Sequence, residues 1–342
     1  MSALQVGRSP QRVGGYERVT GAQAYLADLP FEDVLHAKLV TIPCGRGRIK
    51  RIDTSSALEV PGVRLVMTAD DLPQPMPRYG PQFQDRPVLA VGETKFHGEP
   101  VAAVAADSKD AAEEGARAVV VEYEELPGVY SVEQATAADA PLVREPELRP
   151  ADDPDRDSNV LARHDFGWGD VDTAEADLVI EESYSFPMVT HFAIEPHAFA
   201  AAPDEDGIAI WSTIQHPYLL QRLMAKLLDL PLAKVRVYAP DPGGGFGGKQ
   251  NIKLEPLVAF MALETGRPVR LVLTLDESFQ ANRRVAAEVT VRSGFTTDGE
   301  LVFEDIRSDY MLGAYADIAD RVVSKSQYTA AGPYKEPNVR IR

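Results

Sequence analysis

Five glycines surround one phenylalanine in the run Gly243-Gly244-Gly245-Phe246-Gly247-Gly248, and Lys249 and Gln250 follow. The run comes after a strand-like segment, Val235-Arg236-Val237-Tyr238, and before a helix-like one in which Leu254, Leu257, Val258 and Met261 recur at i, i+3, i+4, i+7. Pro256 falls in the first turns of that helix, where a missing N–H costs little, and Gly266 suits its stop. A tight turn needs one or two glycines, so five point to a backbone that approaches a ligand and turns its N–H groups toward oxygens. The helix N-terminus behind the run would assist.

Ligand classes compete for such a loop. Gly243 to Lys249 matches the phosphate-binding pattern GxxxxGK, but Gln250 stands where Ser or Thr would hold magnesium. Gly243, Gly245 and Gly248 match GxGxxG, but much chain precedes them, and the nearest acid ending a following strand, Asp276, comes late for a dinucleotide fold. Both nucleotide readings are weak.

Charge and cysteine content narrow the remaining classes. The 342 residues are 44% hydrophobic and 25% charged, with formal net charge −17. That suits a globular chain of two domains and argues against nucleic acid and anionic membrane surfaces as partners. The single cysteine, Cys44, cannot build an Fe–S cluster, a cysteine-based zinc site or a disulfide framework. No apolar run approaches the roughly 20 residues that span a bilayer. Met1 to Gly15 lacks the apolar core of a secretory signal. The expected location is cytoplasmic.

Along the chain, residues 1–17 read as a polar flexible arm. Residues 18–130 alternate strand and helix signals as an α/β unit. Strands are expected at Leu35 to Val40, Gly47 to Asp53, Gly62 to Thr68, Pro100 to Ala106 and Val119 to Tyr123. A helical turn is expected at Thr68 to Pro73, and a helix capped at Asp107 or Ser108. Residues 131–158 form an acidic linker, its stretch Arg144 to Asp157 too polar to bury a face. Residues 159–342 make a second domain, with strands at Val179 to Phe186, Gly207 to Ser212 and Lys234 to Ala239 and a helix at Tyr218 to Leu228. Read as a strand, the segment His191 to His197 puts His191, Glu195 and His197 on one face. Catalytic zinc sites show a recognisable ligand set, so these three are expected as buried polar partners and not as metal ligands.

Several motifs, in order, resemble the xanthine dehydrogenase and aldehyde oxidase family of molybdenum hydroxylases. Arg18-Val19-Thr20-Gly21-Ala22-Gln23-Ala24-Tyr25 with Asp28 resembles the start of its hammerhead domain, and Gly98-Glu99-Pro100-Val101-Ala102-Ala103-Val104 the middle. His191-Phe192-Ala193-Ile194-Glu195-Pro196-His197 resembles the opening of the cofactor domain, and Trp211-Ser212-Thr213-Ile214-Gln215 its strand-end glutamine motif. Gly243 to Lys249 resembles the first molybdopterin loop, and Gly332 to Val339 a later signature. The resemblance covers nearly all of the chain after residue 17. It implies an α+β architecture: a hammerhead α/β domain followed by the first part of a molybdopterin-binding domain.

The resemblance further implies that Gln215, Gly244, Gly245, Phe246 and Gly247 bind Mo-molybdopterin, with the cytosine dinucleotide among its alternative forms. The backbone at Phe246 and Gly247 would lie against an anionic oxo group. In the family the metal is held by the pterin dithiolene, so no side chain here is expected as a metal ligand. Xanthine-oxidising relatives carry glutamine at the place of Val189 and a purine-binding glutamate at the place of Gln250. Both departures argue against a purine, and Gln250 is left as a candidate contact to a heteroaromatic ring or an aldehyde.

No catalytic residue is assigned. The family's general-base glutamate would lie beyond Arg342, and Gly332 to Arg342 reads as an interior strand, as though the chain stopped within a domain. The expected function is that of a molybdopterin-binding subunit, or its N-terminal part, in an oxidoreductase complex. It would hydroxylate a heteroaromatic or aldehyde substrate with oxygen from water. Electrons would pass to an Fe–S subunit carrying 2Fe-2S clusters and an FAD subunit, and another chain or segment would supply the C-terminal molybdopterin domain. The isolated chain is expected to be inactive. The alternative is a truncated, inactive scaffold that binds partner subunits, with an exposed apolar edge around Val322, Val323 and Tyr328. A weaker alternative is a nucleotide-binding protein.

Overall fold

The computed structural model describes residues 7–342. Its centre is a mixed seven-stranded sheet in the order Val235–Tyr238, Gly207–Ser212, Ala198–Asp204, Val269–Val272, Leu35–Thr41, Pro100–Ala106, Val63–Thr68. The sheet runs through both halves of the sequence. Leu35, His36 and Ala37 pair in parallel with Val269, Arg270 and Leu271. Pro100–Ala106 is buried along its whole length, which explains its unbroken run of small apolar residues. Ala103 and Ala105 face one core and Ala102 and Val104 another, as the two-residue period of a strand requires.

The helix Glu255–Thr265 lies in the larger core, with Leu257, Val258, Met261 and Ala262 at or below 1% exposure. It ends at Gly266, whose φ of 64° is the left-handed stop expected there. The helix Lys109–Ala118 begins at Ser108, whose hydroxyl accepts from the Ala111 N–H at 3.1 Å. A second sheet has the order Leu178–Phe186, Ala286–Phe295, Leu301–Met311, Asn338–Ile341, Phe166–Trp168. Its segment Asn338–Ile341 is an interior strand, as read from the sequence. The fold is the expected α+β mixture. Two smaller sheets complete it, one of them the short pair Arg78–Tyr79 and Arg86–Pro87. Among the described residues no helix is long and apolar enough to cross a membrane.

Five local expectations need correction. The part of the arm at residues 1–6 lies outside the described residues; its other end enters a short helix, Gly15–Thr20, framed by left-handed Gly14 and Gly21. The stretch Arg144 to Asp157 is tied down. Arg144 pairs with buried Asp85 at 2.7 Å, and Arg149, itself buried, donates to Asp153 Oδ2 at 2.8 Å and to the Ser158 carbonyl at 3.1 Å. Charge density there signalled solvation, but arginines that find carboxylates and carbonyls can be buried. His191 to His197 is irregular backbone, with Phe192 at φ 48°, so no strand face orders its side chains. Asp276 begins no strand end; it sits in the first turn of the helix Leu275–Ala281. The apolar edge at Val322, Val323 and Tyr328 is part of a helix, Ala319–Tyr328, so it offers no unpaired strand backbone.

Candidate functional site

The glycine loop leaves the strand Val235–Tyr238 at the edge of the large sheet, and residues 251–254 separate it from the helix Glu255–Thr265. Gly244, Phe246 and Gly247 take φ values of 104°, 49° and 90°. Such alternation turns successive peptide groups. The carbonyls of Gly243, Gly245, Gly247, Gly248 and Lys249 accept from Glu195 N, Gly248 N, Gln250 N, Asn282 Nδ2 and Gln215 N in turn. Among the described residues, the N–H groups of Gly244, Gly245, Phe246 and Gly247 donate to nothing. Backbone N–H groups left without a partner in such a turn are the kind of donors that suit anionic oxygens.

Gln215 follows the strand Gly207–Ser212 and lies directly across the loop. Its backbone N–H donates to the Lys249 carbonyl at 2.7 Å. Its side chain fills the space beside Gly245, where a Cβ would stand 2.7 Å from Oε1. The Phe246 side chain is 74% exposed, and Gln250 is half-buried with Nε2 against Gly247. The five expected cofactor residues and Gln250 therefore gather in one place.

The two ends of the loop are held by a residue that the sequence placed among the polar partners of two histidines. Glu195 Oε2 accepts from Gly243 N–H at 2.7 Å and from Lys249 Nζ at 2.8 Å, and its backbone carbonyl takes a further Lys249 bond at 2.9 Å. Burial pulls the Lys249 ammonium below its ordinary pKa while Glu195 opposes the shift. Lys249 is thus engaged within the protein and turned to no phosphate, which removes the physical basis of the GxxxxGK reading.

His191 and His197 flank the same loop. The His191 ring packs where a Cβ on Gly248 would stand, and His197 Nε2 lies 3.3 Å from the Gly248 carbonyl. Burial, reinforced by the nearby charge of Lys253, pushes the His197 pKa down to about 3, so the ring is a neutral donor. Among the described residues no three His, Cys, Asp or Glu side chains gather as a metal-holding group.

Phe246, Gly247 and Gln250 open onto a cavity of about 1380 Å³. Its far wall comes from the first half of the chain and includes Tyr79, Arg86, Lys95 and Phe96, joined by Tyr315 from the second. The Glu99 carboxylate, from the Gly98-Glu99-Pro100 motif, lies behind this wall and accepts from Tyr315 Oη at 2.5 Å and Lys95 N at 2.6 Å. Arg86 and Lys253 also line the cavity and were not singled out from the sequence. The one local hint was Lys253 between Ile252 and Leu254, a charge in an apolar setting.

Comparisons with known proteins identify the family of the two domains. The family model of the molybdopterin cofactor-binding domain matches residues 153–342, and that of the aldehyde oxidase and xanthine dehydrogenase a/b hammerhead domain matches residues 20–127. The chain is 33% identical to a probable xanthine dehydrogenase subunit of Bacillus subtilis, over 97% of this chain and 44% of that protein. It is 31% identical to the nicotinate dehydrogenase large molybdopterin subunit of Eubacterium barkeri, over 98% of this chain and 77% of the relative. Aldehyde oxidoreductase from Desulfovibrio gigas superposes with a TM-score of 0.87 at 29% identity, over 96% of this chain and 37% of that one. Quinoline 2-oxidoreductase from Pseudomonas putida 86 gives 0.84 at 26%, over 99% of this chain and 44% of that one. The chain thus spans less than half the length of three of these four proteins. Ordered motifs, domain matches and superposed fold lead to one conclusion: the chain belongs to the xanthine dehydrogenase and aldehyde oxidase family of molybdopterin-binding oxidoreductases.

Proposed function

We propose that this chain provides the first molybdopterin-binding loop of a cytoplasmic molybdenum hydroxylase complex acting on a heteroaromatic or aldehyde substrate. The observation that carries the reading is the row of N–H groups from Gly244 to Gly247, none of which donates to a group among the described residues. An anionic group with oxygens fits this cradle without a titrating side chain. Gln215 adds a neutral amide able to donate and accept at a pterin or oxo edge. When bound, the cofactor would supply two-electron oxidation of a carbon centre with oxygen from water.

The remaining roles fall to side chains of this chain. Phe246 presents an exposed aromatic face to the cavity. Gln250 offers a donor and an acceptor to a ring nitrogen or a carbonyl. This suits substrates of the kinds for which the quinoline, nicotinate and aldehyde relatives are named. Electrons would leave through 2Fe-2S and FAD groups on partner chains, and another chain or segment would complete the cofactor domain.

Molybdenum and pterin analysis of the protein purified with its natural partners tests the reading. About one of each per complex is expected; absence of both would defeat it. A second reading, a non-catalytic scaffold, draws on exposed apolar residues of the five-stranded sheet, among them Leu178, Ile180, Tyr184 and Phe186. A stable complex free of molybdenum would favour that reading.

A further inference from the structure

His191 stands between two anchored stretches of irregular backbone. Before it, the Val189 carbonyl accepts from Arg284 N at 2.7 Å and the Pro187 carbonyl from Arg284 Nη2 at 3.0 Å. After it, Glu195 N donates to the Gly243 carbonyl at 3.1 Å, and Glu195 Oε2 accepts the Gly243 N–H at 2.7 Å. The imidazole is thereby carried onto the glycine loop. A Cβ on Gly248 would lie 2.9 Å from His191 Cγ and 3.0 Å from its Nδ1. Gly248 is not among the glycines with positive φ, so its missing side chain serves to make room for this ring.

The edge of the ring reaches the preceding glycine. His191 Nε2 and Gln250 Nε2 lie 4.0 and 3.4 Å from the place where a Cβ on Gly247 would stand. Two side chains therefore converge on one point beside Gly247, whose own N–H donates to nothing among the described residues. His191, Gly247 and Gln250 all line the large cavity, and His191 also lines a smaller cleft with Gly245 and Gly248.

His191 is half-buried, and among the described residues neither of its ring nitrogens has a hydrogen-bond partner. His197 differs, since its Nε2 lies 3.3 Å from the Gly248 carbonyl, which also accepts from Asn282 Nδ2. A ring that only filled the space over Gly248 would need no nitrogens. The charged and titratable groups around it are Lys253 and Arg284 on the cavity side, and His197 with the Glu195–Lys249 pair on the side of the cleft. Burial first, then Lys253 and Arg284, hold the His191 pKa below its ordinary value. The ring is therefore neutral near pH 7, and an anion beside Gly247 would turn the balance toward the imidazolium.

We propose that His191 is a ligand-contacting residue of the glycine loop: its Nε2 hydrogen-bonds an oxygen anion held beside Gly247 and Gln250, and the ring takes up one proton as that anion binds. This rests on the reading of the loop as the cofactor site, and it names the pH regulation of that same site. The proton comes from solvent, and the N–H bond is the only covalent bond formed. Retention of the anion is then strongest at low pH and weakens as pH rises through the pKa of the occupied site.

The test follows the rate of pterin loss from the purified complex from about pH 6 to about pH 9, with molybdenum measured alongside. Wild-type loss is expected to quicken with pH by at most about tenfold per pH unit, the limit for one proton. His191→Gln keeps a donor but cannot titrate, so it should lose this slope. His191→Phe keeps a ring on Gly248 without nitrogens and should release pterin faster than the wild type at the low end of the range. Thermal midpoints show that each variant folds, and His191→Gln serves alone if the phenylalanine does not. Equal slopes in wild type and His191→Gln would overturn the proposal, as would pterin held equally firmly by His191→Phe. If the wild-type complex holds no pterin, the cofactor reading fails and sulfate decides, because its charge is constant over this range. Tighter sulfate binding at low pH in the wild type, absent from His191→Gln, would keep the contact; no such difference would overturn it.

Discussion

Lys249 Nζ and Glu195 Oε2 lie 2.8 Å apart, with side chains only 2% and 10% exposed. The same carboxylate oxygen holds the Gly243 N–H, so one residue pins both ends of the glycine loop. The pair acts as a clamp that keeps four backbone donors in a fixed array.

Removing one partner should therefore be expensive. Lys249→Met would leave a buried carboxylate without its counter-ion, and Glu195→Gln the reverse. Each is expected to cost about 3–5 kcal/mol, the usual penalty for breaking a buried pair. Urea unfolding of each variant measures it. A loss below about 1 kcal/mol would mean that water already solvates the pair, as at exposed ion pairs.

Two glycines with positive φ should separate loop function from stability. Gly247 has φ 90° within the donor array, and Gly266 has φ 64° at a helix end with open space around it. Alanine at either position is expected to cost about 1–2 kcal/mol of backbone strain. Only Gly247→Ala should also lower pterin content. Equal pterin content in the two variants would argue that the donor array does not hold the cofactor.

Glu336 supplies a pH dependence. Both of its carboxylate oxygens are buried without hydrogen-bond partners, and burial, followed by the charge of Glu304, pushes its pKa up to about 6. The folded state then prefers the protonated acid. Its contribution to stability is present below the ordinary carboxylate pKa of 4.5 and is lost as pH rises through about 6. The loss is about 2 kcal/mol at 1.36 kcal/mol per unit. Glu336→Gln should match the wild type near pH 4 and become the more stable above pH 6. Thermal midpoints measured across this range, unchanged in their difference, would contradict the assignment.

Arg149 offers a check on the tethered segment. Its guanidinium is buried, bonded to Asp153 and to the carbonyls of Ser158 and Leu161. Arg149→Ala should destabilise by roughly 2–4 kcal/mol through unpaired carbonyls and lost packing. It should also quicken proteolysis between residues 144 and 163. A true solvated linker would show neither effect.

What was legible in the sequence is what depends on neighbours in the chain. Glycine's freedom at Gly244, Gly247 and Gly266, the Ser108 cap, and the apolar runs at Pro100–Ala106 and Leu254 to Met261 each act within a few residues. Their elements therefore form where the pattern puts them. The motif order that pointed to the family was readable for the same reason. Other features come from groups brought together across the fold. Leu35–Thr41 joins Val269–Val272 in one sheet, Glu195 reaches both ends of a loop some fifty residues on, and Arg86 and Lys253 face one cavity. Periodicity tells which face of an element is apolar, but not which element covers it or whether a buried charge meets a partner. Irregular backbone at His191 to His197 and the burial of Arg149 follow from that packing, because hydrogen bonds and desolvation are set by whatever the tertiary structure places nearby.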